Sequence, residues 1–237
     1  MAKQFRNGIK RFEFVGKGAF TRPKLILANP QRKKQSPLTG KVVKQLYGKV
    51  TKEELSRIKN LIATYQEMLQ TAGVAVIETH VRGGLKSKGK FGVALIQEYV
   101  PEKQVLKNVI SNCSTKEAVN LFREVMDIIE RVNEYNKHGP GQIGLDVTIK
   151  NFALVENKIT LIDTYPPFVR NVTTRIEPED YTGRKRHWYQ RVFGNIFKSR
   201  RSRIGKMRIE KKFNHDKQIQ IAKEQFLLAR QDLKGLI

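Results

Sequence analysis

Two short apolar runs around a Glu156-Asn157 turn, bracketed by three polar residues at fixed spacing, constrain this chain more than anything else in it. The stretch Gly144 to Pro167 reads GLDVTIKNFALVENKITLIDTYPP. Asp146 and Asn151 stand five apart on a predicted loop, and Asp163 ends the run Ile159 to Ile162. The β-branched residues of that run and the turn before it predict the second arm of a hairpin. A carboxylate at Asp146 can orient an acceptor hydroxyl and take its proton. An amide and a second carboxylate are hard oxygen ligands of the kind that Mg²⁺ on nucleotide phosphates takes. Asp and Asn are also ordinary turn residues, so the rest of the chain has to decide between the two readings.

The preceding residues fall into a definite order. Arg11 to Phe14 predicts a strand entering a glycine turn with Gly16 and Gly18, and Lys24 to Ala28 predicts the returning strand. Glycines in such a turn let backbone N–H groups approach phosphates closely, although most such turns merely turn. Gly40 to Leu46 predicts a third strand carrying Lys44, which a solvent-facing position on an edge strand would equally explain. Thr51-Lys-Glu-Glu54 is a capping box, and Leu55, Ile58, Leu61, Ile62, Tyr65, Met68 and Leu69 continue at helical spacing until Gly73. Val74 to Val81 and Phe91 to Val100 predict two strands joined by a Gly/Lys-rich hairpin, Arg82 to Lys90. An amphipathic helix from Thr115 to Lys137 then leads through His138-Gly-Pro-Gly141 to Asp146.

This series of glycine hairpin, strand lysine, capped helix, two strands, long helix, D-x4-N and Ile-Asp resembles the protein-kinase-like superfamily. That group includes protein kinases, aminoglycoside and choline phosphotransferases, and small atypical kinases. The resemblance implies an α+β, bilobal fold with an N-terminal antiparallel sheet plus helix and a reduced helical C-terminal lobe. It implies ATP and Mg²⁺ as cofactors, with Asp146 as catalytic base and Asn151 and Asp163 as metal ligands. Lys44 would contact the nucleotide phosphates and Gly16 and Gly18 would roof them. Glu67, the one acidic residue in the helix body past its first turn, would pair with Lys44, its other reading being a solvated surface glutamate. Backbone groups near Glu98 and Val100, where Gln-Glu-Tyr-Val-Pro101 resembles the hinge, would meet the adenine edge. Lys150, four after Asp146, would put a cation near the transferred phosphate. The chain departs from the pattern at Gly144, where a His is usual, and at Thr164-Tyr165, where Phe-Gly is usual. The second departure argues against ordinary activation-loop switching.

Charge divides the chain into thirds of unequal character. Residues 1–50 carry 13 Lys/Arg and one acidic residue, residues 51–181 carry 17 of each, and residues 182–237 carry 16 and four. The net +24 therefore lies at the two ends, and the stretch holding the candidate chemistry is neutral. The densest part, Arg184 to Lys212, interleaves its cations with Trp188, Tyr189, Phe193 and Phe197. It predicts an aromatic-docked helix, within a helical segment around 178–200, with an outward basic face. Its partner is a nucleic acid or other polyanion, an anionic membrane surface, or none beyond solvent and an acidic protein.

The expected organisation is an N-terminal nucleotide-binding lobe over 1–100, a C-terminal catalytic lobe over 101–181 and a basic helical extension over 182–237. A further helix is expected around 216–233. No apolar run approaches 18 residues, so no transmembrane span is expected. The single Cys113 excludes an internal disulfide, the four scattered histidines give no zinc spacing, and a cytoplasmic location is expected. The acceptor stays open among small polar molecules, lipid head groups and protein side chains. The reading from another class is a catalytically silent kinase-like scaffold that binds nucleic acid or a ribonucleoprotein through its basic ends.

Overall fold

Short runs rich in apolar and β-branched residues build the strands, and longer 3.6-period patterns build the long helices. The computed structural model describes residues 5–6, 9–10, 12–14, 21–29, 34–46, 49–85, 89–165, 167–170 and 210–237. The expected glycine turn with Gly16 and Gly18 lies outside the described residues. So do the helical segment around 178–200 and all but the last residues of the basic stretch Arg184 to Lys212.

In chain order the strands and first helix are β1 (Phe5–Arg6), β2 (Ile9–Lys10), β3 (Phe12–Phe14), β4 (Thr21–Ile26), β5 (Lys41–Leu46) and α1 (Lys52–Thr71). Next come β6 (Ala75–Val76), β7 (His80–Leu85), β8 (Phe91–Glu98), α2 (Leu106–Asn112) and α3 (Thr115–His138). The last are β9 (Gln142–Ile143), β10 (Phe152–Val155), β11 (Lys158–Leu161), β12 (Val169–Arg170) and α4 (His215–Ala229). The fold is α+β, with an antiparallel five-stranded sheet and, among the described residues, four α-helices. None of these helices is long and apolar enough to cross a membrane.

Contacts divide the chain into two units. The first holds the described residues up to Asn60 together with Glu78–Tyr99, and the second holds Leu61–Ile77 and the described residues from Val100 onward. Residues 61–77 thus group with the second unit although they precede residue 100.

The first unit is the sheet β3-β4-β5-β8-β7. β5 is its middle strand, and Lys44 faces Pro23 on one neighbour and Leu95 on the other. An edge position therefore does not explain that lysine. Val42, Leu46, Val93 and Leu95 are buried on one face of the sheet and Ile96 on the other, and Leu55 and Ile58 of α1 are buried as well. The α1 capping box closes as its sequence implies: Glu54 accepts from the Thr51 amide at 2.8 Å, and Thr51 Oγ1 accepts from the Glu54 amide at 3.2 Å.

The expected strand Val74–Val81 is two strands in two different sheets. Ala75 and Val76 pair in parallel with Thr160 and Leu161, while β7 pairs with β8 and runs through Gly83 and Gly84. Neither the apolar run Val74–Ile77 nor the polar Glu78-Thr79-His80 after it encodes which partner each half takes, and that choice is tertiary.

The second unit is built on α3. A capping box starts it, with Ser114 Oγ accepting from the Glu117 amide at 3.2 Å and Glu117 accepting from the Ser114 amide at 2.8 Å. Ala118, Leu121, Val125, Ile128, Ile129 and Val132 form its buried stripe. α4 packs against it, with the Phe122 and Phe226 rings edge to face at 5.2 Å between centroids. Beyond α4, Arg230 donates to the Cys113 carbonyl at 2.7 Å and to Thr115 Oγ1 at 3.0 Å, tying the chain end to the α2–α3 corner. α2, only seven residues long, has no clear period in the sequence and was not expected.

Candidate functional site

The loop that carries Asp146 is held from four directions before its side chain is considered. Asn136 of α3 grips Ile143 with both amide atoms, accepting from its N–H at 2.6 Å and donating to its carbonyl at 2.9 Å. The Gly144 amide donates to the Phe168 carbonyl at 2.7 Å, continuing the β9–β12 ladder by one residue. The Tyr65 hydroxyl, on a fully buried ring of α1, donates to the Gly144 carbonyl at 2.9 Å. The Leu145 amide donates to the Lys212 carbonyl at 2.8 Å. Buried polar groups held this way keep one geometry, because each broken bond would leave a desolvated partner.

Packing requires a glycine at position 144. A Cβ there would lie 2.8 Å from the Phe168 Cβ and 3.0 Å from the Phe213 ring. The loop sits too close to both residues for any side chain.

Asp146 uses one carboxylate oxygen for structure. Oδ1 accepts from the Thr148 hydroxyl at 2.7 Å and from the Thr148 amide at 3.3 Å, and the Lys212 ammonium lies 2.7 Å from it. Among the described residues, Oδ2 accepts nothing, and the side chain keeps 30% of its surface exposed. Burial pushes the Asp146 carboxyl up. The Lys212 charge and the Lys212 and Thr148 hydrogen bonds outweigh that, and hold it below the usual carboxylate range. Asp146 is thus an anchored carboxylate with one free oxygen.

Asn151 and Asp163 are brought together by a hairpin. β10 and β11 pair Phe152 with Leu161, and one step further the Ile162 amide donates to the Asn151 carbonyl at 2.8 Å. Asp163 follows directly. The Glu156-Asn157 turn takes positive φ at both residues, 49° and 62°, as a tight hairpin turn requires. Asn151 is buried on the 3-10 turn Ile149–Asn151, and its amide nitrogen donates to the Asp146 carbonyl at 3.4 Å. The amide oxygen is a donor atom of the kind a hard cation takes. The donor set suits Mg²⁺, which takes one or two protein oxygens and fills the rest of its octahedron with phosphates and water. No cluster of three or more His, Cys, Asp or Glu that could hold a metal by itself occurs among the described residues.

Thr164 and Tyr165, which follow Asp163, are buried, and burial pushes the Tyr165 hydroxyl up.

The remaining expected residues are placed as follows. Lys150 is exposed on the turn beside Asn151 and makes no ion pair among the described residues. Glu98 ends β8 and pairs with Lys41 at 2.5 Å, and Val100 is half-buried just beyond. Glu67 is exposed on the part of α1 that belongs to the second unit, where its charge helps raise the Tyr135 hydroxyl that burial already pushes up. Lys44 belongs to the first unit.

The residue the sequence did not reveal is Lys212. It sits in an undistinguished Lys-Lys pair at the end of a basic run, expected there as part of an outward-facing surface. The structure puts it on Asp146 instead. Arg170 supports the same segment by pairing with Glu210 at 2.6 Å and stacking 3.8 Å above the Phe213 ring.

An α+β protein with an anchored Asp, a buried Asn and a second Asp aligned by a hairpin is the class these features define. Residues 13–180 match DUF6206, a family of unknown function, and the chain belongs to that family. No curated protein matches the chain.

Proposed function

We propose that this protein is an ATP- and Mg²⁺-dependent phosphotransferase with a bilobal, protein-kinase-like fold, transferring the γ-phosphoryl group to a hydroxyl acceptor. One observation carries the reading: Asp146 fixes Oδ1 with three donors and leaves Oδ2 without a partner among the described residues. A general base needs one oxygen held and the other open to the incoming O–H.

In this mechanism the acceptor hydroxyl donates to Oδ2, and its oxygen bonds to the γ-phosphorus as the bond to the ADP oxygen breaks. The proton passes to Asp146. Mg²⁺, when bound with the nucleotide, would neutralise charge on the β- and γ-phosphates. Asn151 and Asp163 would hold it through the amide oxygen and a carboxylate oxygen, and Lys44 is assigned to the nucleotide phosphates. The acceptor site favours no single class among small molecules, head groups and protein hydroxyls.

The test is Mg²⁺-dependent ATP hydrolysis by the full chain, with water as acceptor. Asp146→Asn keeps the shape but loses proton acceptance, and should lower turnover roughly 10²–10⁴-fold with nucleotide affinity nearly unchanged. Turnover within a few-fold of the parent would refute the role.

The +12 at each chain end supports a separate proposal, a salt-sensitive polyanion contact through the Arg184–Lys212 stretch. Lys212 itself is committed to Asp146 and is not counted in that surface.

A further inference from the structure

The segment Glu210–Asn214 lies outside the residues that match the family and yet meets the Asp146 loop at backbone and side chain alike. We propose, on the phosphotransferase reading, that Lys212 is a positioning residue of the reaction: a resident cation, supplied from the C-terminal segment, that fixes which oxygen of Asp146 meets the acceptor.

Three features separate this role from that of a removable plug. The Lys212 carbonyl accepts from the Leu145 amide at 2.8 Å and also from the Gln218 side chain, so its main chain is built into the loop. Phe213 packs against Gly144 so closely that a Cβ would not fit, and Arg170 stacks over the same ring. α4 begins directly after Asn214, whose side chain caps it by accepting from the Lys217 amide at 2.9 Å. A pseudo-substrate would enter through its side chain and leave with it. Lys212 is instead delivered by a backbone that the fold requires.

The geometry also specifies what the ammonium does. It meets Oδ1, the oxygen Thr148 already holds, and it is 19% exposed. Hydroxyl, amide and ammonium thus converge on one oxygen, which sets the carboxylate's rotation and turns Oδ2 outward. Thr148 has no charge to supply, and exposed Lys150 pairs with nothing described. Lys212 is therefore the cation that orients the base.

The experiment uses the full chain with MgATP as probe and water as acceptor. Lys212→Met keeps length and loses charge. It should lower kcat roughly 10- to 100-fold, the cost of a misplaced reacting group, while KM for MgATP stays within about threefold. Lys212→Arg should restore most of the loss. Lys223→Met, the same charge change at an exposed lysine of α4, should match the parent. Thr148→Val removes a donor to the same oxygen without touching the C-terminal segment, and should reproduce the kcat loss with KM unmoved. It also serves if Lys212→Met does not fold. In a crystal structure of the Met variant, Asp146 should leave its present rotamer. An active parent with Lys212→Met or Thr148→Val at parental kcat would overturn the proposal and leave the phosphotransferase reading standing. A parent without Mg²⁺-dependent hydrolysis would overturn both.

Discussion

The Ile162 amide donates to the Asn151 carbonyl at 2.8 Å, one step beyond the last paired residues of the β10–β11 hairpin. This bond sets the amide of Asn151 and the carboxylate of Asp163 at the same end of one rigid hairpin. Because Asn151 also donates to the Asp146 carbonyl, the three polar residues share a single hydrogen-bonded frame.

Asp163→Ala should leave the fold intact, since a half-exposed carboxylate at a strand end is not a packing requirement. It should abolish any Mg²⁺-dependent gain in nucleotide affinity, measured by calorimetry with and without the metal. Parental affinity for Mg·ATP in a folded Asp163→Ala protein would remove the metal assignment.

Gly144→Ala tests whether packing explains the missing His. The added Cβ meets the Phe168 Cβ at 2.8 Å with no flexible atom to yield, so overpacking should destabilise the chain by about 1–3 kcal/mol. Urea denaturation measures this. An unchanged midpoint would mean that the close approach is not a constraint.

How much of this was legible in the sequence depended on sequence distance. Asn151 and Asp163 could be placed at one end of a hairpin because the Glu156-Asn157 turn and the β-branched run after it set register locally. α1 and α3 were legible from their apolar stripes. Which strand Ala75 and Val76 would join was not, because two apolar residues fit any sheet. Lys212 was invisible for a related reason: nothing in a basic run marks the one lysine that the fold will carry back to Asp146. Gly144 reads in the sequence only as a departure from the pattern, and the close approach of Phe168 and Phe213 that requires a glycine there is tertiary.

The chain end offers a pH test independent of the site. Hydrogen bonds from Arg230 and Thr115 hold the Asp232 carboxyl down at about 2. An unfolded Asp titrates near 3.9, so this stabilisation is complete above roughly pH 4 and is lost as pH falls toward 2. Denaturation midpoints of the parent and Asp232→Asn should differ at pH 6, converge between about pH 4 and 2, and coincide below. A difference that persists at pH 1.5 would contradict the linkage.

Nucleotide-induced thermal stabilisation, with and without Mg²⁺, tests the central claim most directly. ATP with Mg²⁺ should raise the melting temperature of the full chain, by more than ATP with EDTA does, because the proposed ligands Asn151 and Asp163 would need phosphate oxygens to complete the metal's shell. Asp163→Ala should respond equally with and without the metal. A melting temperature unmoved by millimolar Mg·ATP, in a protein whose fold is intact, would contradict the phosphotransferase account.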